Sequence, residues 1–185
     1  MKRVVMAVLL VGFLTSAALC ASAIGQTEIP VSPAAQDLLI KSEKANTSAL
    51  SKALVQVNLF AGLTGAERDA LKTAATLRHT KAGERIIEQG TTQDRMFIIL
   101  DGQTEIRING QLFVTYSGQS LVGEIEFLDP SPACADVLIL QETDLIELNY
   151  AALTGLMEKQ PRLGHVLMRE FARIEAQRLR AGNPK

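Results

Sequence analysis

Apolar positions change their rhythm along the chain. Lys2 and Arg3 precede an unbroken apolar run, Val4 to Leu14, and a small-residue segment then ends in Ala21-Ser22-Ala23. Residues 24–46 hold Pro30, Ser32, Pro33 and Asn46 but few bulky apolar side chains, which predicts a linker with a short helix over Ala34–Lys44. From Ser48, Leu50, Leu54 and Val57 recur at helical spacing. Asn58–Leu63 reads as a turn, and Thr64-Gly65-Ala66-Glu67 has capping-box spacing for a helix with Leu71 and Ala74 inward. Past Leu77 the runs become short and β-rich: Arg85–Glu88, Met96–Leu100, Thr104–Ile108, Leu112–Tyr116, Val137–Leu140 and Leu145–Leu148. Glycines 83, 90, 102, 110, 118 and 123 punctuate them, where turns need positive φ. Helical character returns at Ala151. Pro161 opens a last segment in which Leu163, Val166, Leu167, Phe171 and Ile174 form one stripe, with Gly182 and Pro184 as stops. The order predicts a mainly β fold, a sandwich or barrel, with helices on both sides.

Composition adds a compartment. The basic start, apolar middle and A-x-A ending of residues 1–23 have the layout of an export signal, so the protein is expected to be periplasmic or secreted. The alternative is an uncleaved membrane anchor, the one route by which a membrane becomes a partner. Thr15, Ser16 and Ser22 weaken the segment as a span of ~20 apolar residues. Leu19 before Cys20 speaks against lipid attachment there. Cleavage after Ala23 leaves 17 basic against 20 acidic residues and Cys134 as the only thiol, expected to be buried among its apolar neighbours. Aromatics are 4% and Trp is absent, so the core must be aliphatic. The lack of a basic excess argues against a nucleic-acid partner.

Several segments in order carry a family likeness: Asn58–Leu63 (NLFAGL), Ala82-Gly83-Glu84, Glu88-Gln89-Gly90, Met96–Gly102, Ser117-Gly118-Gln119 and Val122-Gly123-Glu124-Ile125. Over about residues 56–155 the chain resembles the cyclic-nucleotide-binding domain of catabolite activator proteins, protein-kinase regulatory subunits and nucleotide-gated channels. The resemblance implies a β jelly-roll barrel over 47–160, followed by a helix and tail over 161–185. It implies cyclic AMP or cyclic GMP as ligand, with no bound cofactor otherwise and no metal. It also implies a phosphate held at the start of a helix opening at Gly123-Glu124, with Glu124 accepting from the ribose 2′-hydroxyl. The family arginine that clamps the phosphate falls on Ala133, and the ligand-bonding Thr or Ser falls on Asp136. The ligand-binding set implied is therefore Gly123, Glu124, Ile125, Ala133, Cys134, Ala135 and Asp136, a cassette without its positive charge.

Losing a charged hydrogen bond costs roughly 1.5–3 kcal/mol, or ten- to a hundredfold in affinity. An ionised Asp136 is expected to repel the phosphate further, and Glu126 adds a negative charge where a small residue is usual. No Lys or Arg lies between residues 108 and 158; Arg78, Arg85 and Arg95 are the cations that other strands could supply. The expected function is a non-catalytic sensor or regulatory module with weak or altered nucleotide binding. The alternative is an interaction module that has lost its ligand. An enzyme is not expected: a metal-bearing barrel needs clustered ligands, and His79 and His165 are the only histidines. Family transcription factors carry a helix-turn-helix after the last helix, for which this sequence is expected to have no residues. Arg169, Arg173, Arg178 and Arg180, balanced by Glu170 and Glu175, read as a solvated helix face. The apolar stripe from Leu163 to Ile174 must be covered either by its own barrel or, in a homodimer, by a second chain, with its far end expected to need another partner.

Overall fold

The computed structural model describes residues 33–182. The chain divides into two units, Met1–Asp37 and Leu38–Lys185, and only the opening residues of the first helix represent the former. The expected export signal lies outside the described residues. Helix α1 runs Pro33–Gln56, so the second half of the expected linker, residues 33–46, is helical. A 3-10 turn at Asn58–Phe60 follows, then α2, Gly65–Leu71. The strands are β1 Ala75–Thr80, β2 Arg85–Ile87, β3 Arg95–Ile99, β4 Gln103–Ile108, β5 Gln111–Ser117 and β6 Ser120–Val122. Helix α3, Glu124–Leu128, precedes β7 Asp136–Ile139 and β8 Thr143–Asn149. Helices α4, Tyr150–Lys159, and α5, Pro161–Gly182, complete the described chain.

The strands form two four-stranded antiparallel sheets, β1-β8-β3-β6 and β2-β7-β4-β5. This is the expected jelly-roll arrangement with helical flanks; the sheets are not closed into one barrel. The continuous apolar run Met96-Phe97-Ile98-Ile99 explains the layering. A strand sends successive side chains to opposite faces, so a run without polar gaps must be covered on both. Met96 and Ile98 enter a core shared with the helices, and Phe97 and Ile99 enter a second core with Ile87, Val122, Val137 and Leu145. The β4–β5 hairpin turns on Asn109 (φ 53°) and Gly110 (φ 77°), the pair of left-handed residues a tight hairpin requires.

The capping box forms as its spacing predicts. Thr64 Oγ1 accepts from the Glu67 N–H at 3.2 Å, and Glu67 Oε2 accepts from the Thr64 N–H at 2.7 Å. Arg162 of α5 also donates to Glu67, and this bond, with that from Thr64, holds the Glu67 carboxyl down at about 2. The start of α5 is thereby tied to α2. Along α5, Leu163, Leu167 and Phe171 are fully buried against this chain's own helices and first sheet, with Val166 and Ile174 partly covered. The stripe is thus covered within one chain. No helix among the described residues is long and apolar enough to cross a membrane.

Candidate functional site

A cavity of about 740 Å³ opens between the second sheet, the β6–α3 turn, the loop before β7 and the last turns of α5. Ile106, Ile108, Val114 and Val137 supply apolar walls, and Phe113 and Leu179 line it while remaining largely exposed. The polar lining comes from Glu124, Glu126, Tyr116, Glu175 and Arg178.

The β6–α3 turn is held from below. Gly123 has φ 83°, and a Cβ there would lie 3.2 Å from Arg95 O and Met96 Cα. Only glycine tolerates both the left-handed backbone and that approach. The Tyr150 hydroxyl donates to Gly123 O at 2.5 Å. Phe127 of α3 packs on Tyr150 at 5.3 Å and edge-on to Phe171 at 6.0 Å between ring centroids. The stripe of α5 therefore seats α3, and α3 places Glu124 and Glu126 at the cavity.

Of the seven residues the resemblance implied, Gly123, Glu124, Ile125, Cys134 and Ala135 line the cavity, and Ala133 and Asp136 do not. Ala133 is 3% exposed and packs between the sheets, its N–H donating to Thr91 O and its carbonyl accepting from the Gly90 N–H, both at 2.8 Å. Asp136 lies on the outward face of β7, opposite Val137 and Ile139. Its Oδ1 accepts from the Gln89 N–H at 2.9 Å and stands 3.7 Å from Arg85 Nη1. The repulsion expected from Asp136 inside the pocket is therefore not found: strand alternation turns it away. Cys134, expected to be buried, is exposed at the cavity. It sits in the loop before β7, where its side chain has no facing layer; partial desolvation, with the nearby Glu126, still pushes its thiol pKa up.

The cation of the site is Arg178, expected on a solvated helix face. Arg178 donates to Glu124, to Glu175 Oε1 at 2.8 Å and to Leu121 O at 2.5 Å. Its guanidinium carbon lies 4.9 Å from the Tyr116 ring centroid, a cation–π contact. The signal was present: Arg178 follows Phe171 and Ile174 at spacings of three and four, on the buried stripe. The far end of α5 meets the cavity through Arg178, while Leu179 beside it stays exposed. Arg78 and Arg95 instead pair with Glu147, and Arg85 pairs with Glu88.

Glu124 is 1% exposed; one oxygen meets Arg178, and Oε2 has no partner among the described residues. Burial pushes its carboxyl up to about 7, with the charge of Arg178 pulling the other way. The folded state then keeps a proton that the unfolded chain releases above about 4.5, so this group makes stability fall as pH rises from about 4.5 to 7. Glu124→Gln should flatten that slope, as read by urea unfolding at pH 5 and pH 7.5. Glu126, 8% exposed, takes another role: its Oε1 accepts from the Cys134 N–H at 3.0 Å. Among the described residues no cation lies within 4.0 Å of it.

Residues 77–160 match the family model of the cyclic nucleotide-binding domain. The Pycsar effector protein XpPycTIR of Xanthomonas perforans is 31% identical over 111 residues, 60% of this chain and 37% of that protein. A cAMP-dependent protein kinase regulatory subunit from Mycosarcoma maydis is 28% identical over 64% of this chain and 23% of its own length. The chain thus spans about a third or less of these relatives. The crystal structure of a cyclic nucleotide-binding domain from Methylobacillus flagellatus KT superposes with a TM-score of 0.63, covering 76% of this chain and 81% of that one at 19% identity, a likeness of fold. With its two jelly-roll sheets and the glycine-hinged turn before α3, the chain has the fold of a cyclic nucleotide-binding domain, and residues 77–160 match that family's model.

Proposed function

We propose that the protein is an exported, non-catalytic regulatory module that senses a small molecule in this cavity and holds cyclic nucleotides only weakly. One observation carries the reading: the last turns of α5 reach the cavity through Arg178, which bridges Glu124, Glu175 and Leu121. A molecule entering beside Glu124 must meet that bridge, so occupancy and the position of the α5 end are coupled. Weak nucleotide binding follows from Glu126, whose carboxylate already occupies the Cys134 N–H next to the position, Ala133, that lacks the family arginine. That same contact favours the second reading, an interaction module without a ligand.

A thermal-shift screen of the full chain with nucleotides and small metabolites separates the two. At least one neutral or cationic compound should raise the melting temperature, and cyclic AMP near 100 µM, a concentration matching roughly −5.5 kcal/mol, should leave it unchanged. A flat response to every compound supports the interaction module instead. Export has its own test, N-terminal mass spectrometry of protein from its native cell. The mature chain should start at or within a few residues of Ile24; an intact Met1 overturns export.

A further inference from the structure

Acidic groups outnumber cations in the cavity lining. Among the described residues lining it, Arg178 is the one cation, set against Glu124, Glu126 and Glu175. Three of its five N–H donors go to Glu124, Glu175 and Leu121 O, and its face lies on Tyr116. Glu126 is more than nine-tenths buried, yet among the described residues no cation lies within 4.0 Å of it; one of its oxygens accepts from the Cys134 N–H. Glu124 Oε2, fully enclosed, makes no hydrogen bond among the described residues. A carboxylate taken out of water without a counter-charge is costly, and the penalty is relieved by whatever supplies both charge and donors. A phosphate would add a like charge beside Glu126. A hydroxyl would supply one donor and no charge. An ammonium supplies both, with three donors. The rest of the wall, Ile106, Ile108, Val114, Val137 and Leu179, suits an aliphatic or aromatic body.

We propose that the cavity takes an amphiphilic cation, an apolar body carrying a protonated amine whose ammonium pairs with Glu126. The inference rests on the cavity being a ligand site, and its test keeps the two apart. Octylamine, octanol and octyl phosphate share one apolar body and differ in head group. Each is titrated calorimetrically into the full chain at pH 7, beside cyclic AMP. Octylamine should bind at least about tenfold more tightly than octanol, the scale of one charged hydrogen bond, and octyl phosphate should bind more weakly than octanol. Glu126→Gln keeps an acceptor for the Cys134 N–H. It should reduce octylamine affinity to the octanol level and leave octanol unchanged. The comparison of head groups on the unaltered protein stands whether or not the variant folds. Octyl phosphate or cyclic AMP binding as tightly as octylamine overturns the ligand class while keeping the cavity as a ligand site. An octylamine preference that survives in a folded Glu126→Gln protein overturns the pairing. Absence of binding by all four compounds overturns the proposal and, with a flat thermal-shift screen, the ligand site as well.

Discussion

Phe171→Ala is expected to destabilise the protein by about 3–5 kcal/mol, a large share of the 5–15 kcal/mol typical of a domain. Phe171 is fully buried, sits in the middle of the α5 stripe and meets Phe127 edge-on. Its removal leaves a void that α5 cannot collapse into while Leu163 and Leu167 remain anchored on one side and Arg178 on the other. Because Phe127 belongs to α3, the void also loosens the turn that carries Glu124. Urea unfolding gives the loss directly. Phe113→Ala is the comparison: the same side chain, 69% exposed on the β4–β5 hairpin, should change stability by less than about 0.5 kcal/mol. Equal losses from the two variants would mean that α5 is not seated on this core.

Arg178→Ala is expected to cost about 1–3 kcal/mol and to free the last turns of α5. The loss has two parts. The end of the helix gives up its bonds to Glu124, Glu175 and Leu121 O. Glu124 is left enclosed without a counter-charge, so its carboxyl takes up a proton more readily than before. The variant should therefore lose more stability at pH 7.5 than at pH 5. Amide hydrogen exchange should quicken over residues 172–182 and stay slow over β3 and β8, whose apolar residues are among the most deeply buried. Unchanged exchange at the helix end would show that Arg178 does not hold it.

The parts of this account that were legible in the sequence are those set by short-range rules. The Thr64–Glu67 capping box depends on four consecutive residues. All six punctuating glycines adopt positive φ, because a backbone turn is local. The unbroken run Met96–Ile99 announced a strand covered on both faces. The stripe of α5 was plain, but what covers it depends on contacts far along the chain. Arg178 was misread for the same reason: a charge on a helix looks solvated until its distant partners, Glu124 and Tyr116, are known. Asp136 was assigned to the pocket by alignment to a motif, whereas the register of β7 decides which way it faces. Cys134 was expected inside because of its neighbours in sequence, and the loop places it at the cavity.

The proposed weak nucleotide binding depends on the Glu126 carboxylate, which holds the Cys134 N–H beside Ala133. Calorimetric titration of cyclic AMP into the unaltered full chain tests this most directly. The account predicts no saturating heat up to about 100 µM, the loss expected when a charged contact worth roughly ten- to a hundredfold is missing and an internal carboxylate takes its place. Saturable binding at micromolar concentration or tighter would contradict it.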